Sequence, residues 1–233
     1  MPRGFDNNPL NTNLIVAHPF EEGSGAITHD VSKSHIPMTL SGGTIAWASL
    51  AAPLATISTI DMVTINTDFL EASALATANL DFIGQNFSMC CWILLDTLAA
   101  AVHLIDRGTS ATDGWFFTVD ANGALRLGTN GAALVETYSA DGEITVANWW
   151  FVAATRSGAA GVVYKNSRNI VALAGVHANP VTAAVKLHYG VDVTEGAGGM
   201  DGHMWYPRIW DSRVLTDLEV WQIFESERSL FDL

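Results

Sequence analysis

Short runs of strand-forming residues recur along this chain, and turns rich in glycine and asparagine separate them. The clearest runs are FSMCCWILLD at 87–96, GWFFTVD at 114–120 and WWFVAATRSG at 149–158. Runs of this length, without long helical periodicity, are typical of a β-sandwich or barrel. The run at 87–96 is apolar on both faces, which predicts a central strand with a second sheet on one side and loops or a partner on the other. The sequence therefore predicts an all-β fold of two packed sheets.

The sequence predicts one turn clearly, but it predicts no strand positions in one long segment. Asn122 and Gly123 lie between two strand-like runs, and we expect both to supply the positive φ angles of a tight hairpin. Residues 41–80 are rich in alanine, threonine and serine and alternate weakly, so no strands are predicted there with any precision.

The last 20 residues predict a short capped helix. Thr216 and Glu219 form the T-x-x-E pattern of a capping box, in which each side chain binds a backbone N–H of the first turn. Three-residue spacing predicts that Leu218, Trp221 and Phe224 face the sandwich. We expect the acidic residues Glu225 and Glu227 to lie in solvent.

Nothing in the sequence divides the chain into separate units, because it contains no long glycine-, serine- or charge-rich linker and no internal repeat. We predict a single domain over residues 13–233, preceded by an extended arm at 1–12. The arm has few apolar residues, and chain ends of this kind are usually ordered only when something holds them. We expect the arm to dock on a neighbouring subunit or on its own domain.

Composition excludes some partners. Hydrophobic residues make up 49% of the chain and charged residues 15%, which is ample material for a core. The 11 basic and 24 acidic residues give a net charge of −13, which disfavours binding to nucleic acid. No window reaches the roughly 18 uninterrupted apolar residues of a membrane span, and no apolar run follows the first arginine. We expect synthesis in the cytoplasm without a signal peptide, unless a leader was trimmed from the sequence.

The two cysteines are neighbours in a predicted strand. Successive side chains of a strand point to opposite faces, so a bond between Cys90 and Cys91 would require a distorted backbone. We expect two ordinary packed thiols.

An ordered set of segments resembles the laminin G-like jelly rolls of the concanavalin A-like superfamily. The segments are LIVAHPFEEGSGAITHDVS, NFSMCCWI, NWWFVAATRSG, GVVYKNSRNI and the last strand with its helix, together spanning residues 13–226. The pattern of the last strand and helix is carried by Gly202, Met204, Arg208, Ile209, Trp210, Leu215, Thr216, Glu219 and Val220. The resemblance implies a two-sheet antiparallel jelly-roll sandwich with a short C-terminal helix.

The sequence departs from that family's pattern in its last strand. Where the family usually has one or two aspartates, this chain has Trp205 and Tyr206, followed by Pro207, which lacks a backbone donor. An acidic cation site on this strand is therefore not expected. In YKNS the usual glycine is Ser167.

No motif predicts catalysis. A glycoside hydrolase on this fold needs two carboxylates roughly 5 Å or more apart on one strand face, and the E-x-D-x-x-E pattern of the related glucanases does not occur. A nucleophile elbow, histidine pairs at metal-ligand spacing and a dinucleotide fingerprint do not occur either. We expect no enzyme activity.

Two loops are candidates for calcium. Asp192, Glu195 and Asp201 lie in a glycine-rich loop, and carboxylates at loop tips suit a hard cation. An ordinary solvated acidic turn is the alternative reading. Asp106 and Asp113 form a second, weaker candidate.

Aromatic residues are candidates for ligand or partner contact. Trp92, Trp115, Trp221 and one of the Trp149/Trp150 pair lie in apolar patterns and are expected in the core. Neighbours in a strand point to opposite faces, so Trp205 and Tyr206 are not expected to lie in the core together, and we predict both as candidate contacts for a ligand or partner.

Two functional hypotheses follow. One is a glycan-binding or adhesion module, as the resemblance implies, with its ligand or calcium in the end loops. The other is a structural protein of a phage virion, a capsid decoration or tail component that forms a homo-oligomer or binds other subunits. The second hypothesis is preferred here because the chain shows no signal, anchor or appended enzyme.

Overall fold

The computed structural model describes residues 8–51, 56–63 and 67–233. The strands are β1 (Leu14–Ala17), β2 (Ile27–Thr28), β3 (Met38–Ser41), β4 (Ala46–Ala51), β5 (Thr56–Met62), β6 (Phe69–Ala72), β7 (Phe87–Leu95), β8 (Val102–Arg107), β9 (Trp115–Val119), β10 (Leu125–Asn130), β11 (Leu134–Ser139), β12 (Trp149–Ser157), β13 (Ala160–Lys165), β14 (Arg168–Asn169), β15 (Val171–Leu173), β16 (Leu187–Tyr189) and β17 (Gly202–Asp211). One α-helix, α1 (Asp217–Glu227), follows β17, and short 3-10 turns lie at Pro9–Asn11, Ala78–Leu80 and Arg228–Leu230.

The strands form two antiparallel sheets, which confirms the predicted sandwich. The smaller sheet has the order β14-β13-β12-β7-β17-β5-β4. On the same edge of β17, β5 pairs with its first residues and β1 pairs with its last residues. The larger sheet has the order β15-β11-β10-β9-β8-β16-β6-β3-β2. Strands β3 to β6 lie in or border the segment at 41–80, whose weak alternation concealed them.

Strand β7 is the central strand that its sequence predicts. It lies between β12 and β17, and all its residues except Leu94 are buried. Met89, Cys91 and Ile93 pack in the core between the sheets, whereas Cys90 and Trp92 pack in a second apolar cluster on the outer face of the smaller sheet. Both cysteines are free thiols, and burial raises the pKa of Cys90 to about 12.

Helix α1 covers that second cluster, so this outer face is closed by the chain itself. The capping box is confirmed, because Thr216 Oγ1 accepts from the Glu219 N–H and the Glu219 carboxylate accepts from the Thr216 N–H. Val220, Ile223 and Phe224 are buried against the sheet.

The predicted helix face was wrong at two of its three positions. Leu218 is 61% exposed and Trp221 is 47% exposed, while Phe224 is buried as expected. The buried side chains follow i, i+3, i+4 and i+7 from Val220, which keeps one stripe facing the sheet. Three residues fall about 60° short of a full turn in a helix of 3.6 residues per turn. Positions three apart therefore drift around the helix, and only Phe224 of the three predicted residues lies in the buried stripe.

Glu227 was also predicted wrongly, since it is only 8% exposed instead of lying in solvent. Its Oε1 lies 2.7 Å from Arg208 Nη1, and its Oε2 accepts from Arg208 Nη2 at 2.9 Å and from Trp92 Nε1 at 2.8 Å. This ion pair joins the helix to β17 and β7. Burial disfavours the charged form of Arg208, but the paired Glu227 carboxylate helps to raise the pKa of Arg208 and keep it charged.

The β9–β10 hairpin is confirmed, with one correction to its turn. Gly123 has φ 81°, but Asn122 does not have a positive φ. The Asp120 carboxylate accepts from the N–H groups of Asn122 at 2.8 Å and Ala124 at 2.9 Å, so a side chain shapes the return.

Residues 8–12 of the predicted arm lie on their own domain. Trp210 Nε1 donates to the Leu10 carbonyl at 2.7 Å, and Arg213 Nη1 donates to the carbonyls of Pro9 and Thr12 at 2.7 and 2.8 Å. Residues 1–7 lie outside the described residues. Within the described part of the chain, no helix is long and apolar enough to cross a membrane.

Candidate functional site

The outer face of the larger sheet carries polar side chains over its centre. Side chains alternate along a strand, so Phe117 and Leu127 enter the core while Phe116, Thr118 and Arg126 point outward. This face therefore differs from its counterpart on the smaller sheet, which helix α1 covers.

An open cavity of about 260 Å³ lies over β8 to β11. Its lining contains an imidazole, a benzyl ring, a guanidinium, two carboxylates and hydroxyls, supplied by His103, Phe116, Arg126, Asp120, Glu136, Thr118 and Ser110. The cavity thus offers hydrogen-bond donors and acceptors around one aromatic ring.

Arg126 organises the charges of the cavity. Its guanidinium pairs with the Asp120 carboxylate, and Nη1 lies 3.5 Å from Glu136 Oε1. The Tyr138 ring centre lies 5.2 Å from Arg126 Cζ, which is a cation–π distance. Burial by itself raises the pKa of Asp120, but the N–H groups of the turn and the Arg126 charge lower it overall. Asp120 is therefore an ionised acceptor at neutral pH.

The floor of the cavity depends on one glycine. The Phe116 ring lies directly against Gly128 on the neighbouring strand, where an added Cβ would come within 2.1 Å of Phe116 Cζ. Because position 128 has no side chain, the ring lies low on the sheet.

A histidine–aspartate pair borders the cavity. His103 Nδ1 lies 2.7 Å from Asp106 Oδ2, and burial raises the pKa of Asp106 to about 6. In the part of the chain that the structure describes, Asp106 Oδ1 has no hydrogen-bond partner. Its neighbour Asp113, the other member of the weaker calcium candidate, instead accepts from the Thr109 N–H at 2.8 Å.

Next to this pair, strand register aligns a second set of polar groups. His188 on β16 lies opposite Asp106 on β8 and opposite Glu71 on β6. The Lys186 ammonium bridges the carboxylates of Glu71 and Glu195, lying 3.0 Å from Glu195 Oε1. These groups raise the pKa of Lys186 and, in turn, Lys186 lowers the pKa of Glu195.

The structure does not bring the carboxylates of the predicted calcium loop together. Asp192 Oδ1 accepts from the N–H and hydroxyl of Thr194 at 3.1 and 2.8 Å, and Asp201 Oδ2 accepts from the Thr97 hydroxyl at 2.9 Å. Glu195 instead joins Glu71 and His188, the one group of three potential metal ligands found among the described residues.

Sequence comparison identifies the family. Residues 70–221, well over half of the chain, match the laminin G profile of the concanavalin A-like lectin/glucanases superfamily. The chain belongs to this superfamily. A comparison with curated protein sequences finds no match.

Three solved structures of botulinum neurotoxin binding domains, one of serotype C1 and two of DC, are similar to this chain. The serotype C1 domain has a TM-score of 0.67 at 14% identity, over 93% of this chain and 52% of that chain. The serotype DC domain in complex with rat synaptotagmin II has a TM-score of 0.66 at 13% identity, with the same two coverages. The DC domain in complex with SialylT has a TM-score of 0.63 at 14% identity, also over 93% and 52%. The chain spans about half of each domain, and likeness at this identity shows the shared fold.

In this superfamily member, the predicted contact residues Trp205 and Tyr206 lie on the smaller sheet. A bulge between Trp205 and Arg208 places both aromatic rings, half-buried, against the second apolar cluster. The Trp205 and Phe231 ring centres are 5.4 Å apart, and Arg208 Cζ lies 4.3 Å from the centre of the Tyr206 ring. The bulge overturns the expectation that strand neighbours must face opposite ways. Both residues therefore lie on the opposite side of the sandwich from the cavity.

Sequence reasoning did not identify the cavity or the group at Glu71 and His188. Alternation in GWFFTVD and ALRLGT places Phe116, Thr118 and Arg126 on one face of the hairpin, and this signal was available. The group at His188 depends on pairing of β16 with β6 and β8, whose residues are more than 80 positions away along the chain. No local pattern reveals that register.

Proposed function

We propose that this protein is a non-enzymatic binding module that holds a carbohydrate on the outer face of its larger sheet. The open cavity of about 260 Å³ over β8 to β11 is the observation that carries the proposal. Membership of a superfamily of lectins and glucanases agrees with a sugar as the class of ligand. The similar toxin domains, described in complex with synaptotagmin and SialylT, agree with a binding role.

The chemistry of the cavity suits a sugar ring. Sugar hydroxyls both donate and accept, so they can bind the Arg126 guanidinium and the carboxylates of Asp120 and Glu136 together. The Phe116 ring, only 4% exposed, forms an apolar floor beneath these polar groups. The cavity is shallow and open, so a ligand would remain partly in solvent.

The same geometry argues against glycoside hydrolysis. That reaction needs a carboxylic acid with a raised pKa facing the bond and a second carboxylate opposite it. The pKa of Asp120 is lowered, and Arg126 holds both cavity carboxylates. Asp106 has a raised pKa, but it is buried and bonded to His103, away from the reach of a substrate.

A glycan array tests the proposal. We expect Arg126→Ala to abolish binding of every glycan that the unsubstituted protein binds, because the substitution removes the guanidinium that donates hydrogen bonds in the cavity. Arg228→Ala is the control, since Arg228 also pairs with a glutamate, Glu225, its side chain is 42% exposed against 31% for Arg126, and it does not line the cavity. Absence of any ligand on a broad array would contradict a carbohydrate ligand, and binding unaffected by Arg126→Ala would contradict this cavity.

A role as a virion surface protein is the second candidate. Leu218 and Trp221 project from α1 into solvent, 61% and 47% exposed, and such an apolar pair can contact another subunit. In this proposal the chain is displayed on a virion as a capsid decoration or tail component.

Light scattering tests this second candidate. We expect a discrete oligomer, insensitive to chelator, that Trp221→Ser converts to monomer. A monomer at all concentrations, with the natural Trp221 present, would contradict self-assembly through the helix.

A further inference from the structure

His188 is a buried imidazole whose two nitrogens lack hydrogen-bond partners within the part of the chain that the structure describes. The residue is only 1% exposed, and the Phe69 ring packs on it with ring centres 5.4 Å apart. Buried polar groups in folded proteins are almost always hydrogen-bonded, so an imidazole without partners requires a specific explanation.

Two carboxylates face the His188 ring. Its Nε2 lies 3.4 Å from Glu195 Oε1 and 3.7 Å from Glu71 Oε2, without hydrogen-bond alignment to either. Ligand atoms of the three residues all lie within 4.8 Å of one another. Two ligands of a tetrahedral ion, each at 2.0–2.1 Å, are separated by roughly 3.3 Å. The spacing at His188 is therefore close to that of a metal's first coordination shell.

The strands fix two of these ligands, and a loop supplies the third. Glu71 and His188 are cross-strand partners on β6 and β16. Glu195 lies in the loop between β16 and β17, where its side chain is 39% exposed, so it can adjust to an ion and leave a solvent side open.

The two carboxylates already hold a cation of the protein's own. The Lys186 ammonium contacts both of them, and its side chain is 44% exposed. A metal ion at this position therefore competes with the partly exposed Lys186 side chain for the same carboxylate oxygens, Glu71 Oε2 and Glu195 Oε1.

We propose that Glu71, His188 and Glu195 form a binding site for a divalent transition metal of the zinc class. Imidazole nitrogen favours zinc, cobalt or nickel over calcium and magnesium, which prefer oxygen ligands alone. The site shares only Glu195 with the calcium loop predicted from sequence. It is independent of the carbohydrate cavity, which other side chains line.

Isothermal titration of the 233-residue chain with Zn²⁺ tests the site, and Co²⁺ absorption reports its geometry. We expect one equivalent of Zn²⁺, a Co²⁺ spectrum of low coordination number, and no comparable binding of Ca²⁺. His188→Gln and Glu195→Gln are each expected to weaken Zn²⁺ binding by at least about tenfold. His29→Gln is the control, because exposed His29 pairs with Glu22 and represents adventitious surface binding.

Lys186→Met gives a test in the opposite direction. Removing the competing ammonium is expected to tighten Zn²⁺ binding several-fold. Zn²⁺ affinity weaker than about 1 mM in the natural chain, or affinity that survives Glu195→Gln, would overturn the proposal. Affinity lost in His29→Gln but retained in His188→Gln would assign the ion to the surface pair and would also overturn it. If His188→Gln does not fold, Glu195→Gln, in a partly exposed loop, decides the outcome.

Discussion

Strand alternation produces both outer faces of the sandwich, but one face is buried and the other is exposed. On the smaller sheet, Cys90, Trp92 and Phe151 point outward and are buried under α1 and the residues that follow it. On the larger sheet, Arg126 and Glu136 point outward and line an open cavity. A sheet face becomes a second core where the chain supplies a cover, and elsewhere it remains polar and available to a ligand.

The largest effect is expected at the ion pair under the helix. Glu227→Ala leaves the buried Arg208 cation and the Trp92 N–H without their partner, so we expect a loss of about 3–5 kcal/mol of unfolding free energy. Urea unfolding measures it. Glu225→Ala, which removes a more exposed pair with Arg228, is the control and should cost less than about 1 kcal/mol. Equal losses in the two variants would show that the covered face does not depend on this pair.

The second prediction tests which side of α1 faces the sheet. Ile223→Ala removes a fully packed side chain and should cost about 2–4 kcal/mol in the same assay. Leu218→Ala is the control and should change stability by about 0.5 kcal/mol or less. The reverse order of effects would restore the helix orientation that three-residue spacing predicts.

Acid sensitivity is expected to come from a buried histidine that contacts the larger sheet, His177, rather than from the helix ion pair. Burial, assisted by the Arg156 charge, lowers the pKa of His177 to about 4, and the hydroxyls of Thr129 and Thr137 hold its ring at 2.8 and 2.9 Å. The unfolded chain therefore takes up this proton first as pH falls. The stabilisation is fully present above about pH 6.5 and is lost as pH falls toward 4.

With allowance for solvent screening, we expect this loss to be about 1–2 kcal/mol. His177→Gln should flatten the dependence of unfolding free energy on pH between 4 and 6.5, while exposed His29→Gln should leave it unchanged. An unchanged slope in His177→Gln would assign the acid sensitivity to other groups.

The smallest effect is expected on the open face. Glu136→Gln removes a partly exposed pair with Arg126 and should change unfolding free energy by about 0.5 kcal/mol or less, measured by urea unfolding. A loss above about 1 kcal/mol would mean that the cavity serves stability, which would weaken its assignment as a binding surface.

Sequence patterns predicted the fold better than the sites, for physical reasons. The apolar run of β7, the Gly123 turn and the Thr216 capping box are local, and each was found. The orientation of α1 was missed because uniform three-residue spacing does not follow the 3.6-residue helical period, on which the buried stripe passes through Val220, Ile223, Phe224 and Glu227.

The positions of the site residues could not be predicted from local sequence patterns either. A bulge turns Trp205 and Tyr206 to the same side, and a cross-strand register gathers Glu71 and His188. Each depends on pairing between distant strands, and alternation within one strand does not encode it.

The contact between Phe116 and Gly128 has a consequence for how this surface could diversify. Any side chain at 128 would have to displace the ring, because its Cβ would lie 2.1 Å from Phe116 Cζ. We expect the ring to rise into the cavity, because Phe117 and Leu127 fill the inner side of the same strands. Substitution of Gly128 is therefore expected to make the cavity shallower, so this one position can alter the ligand surface.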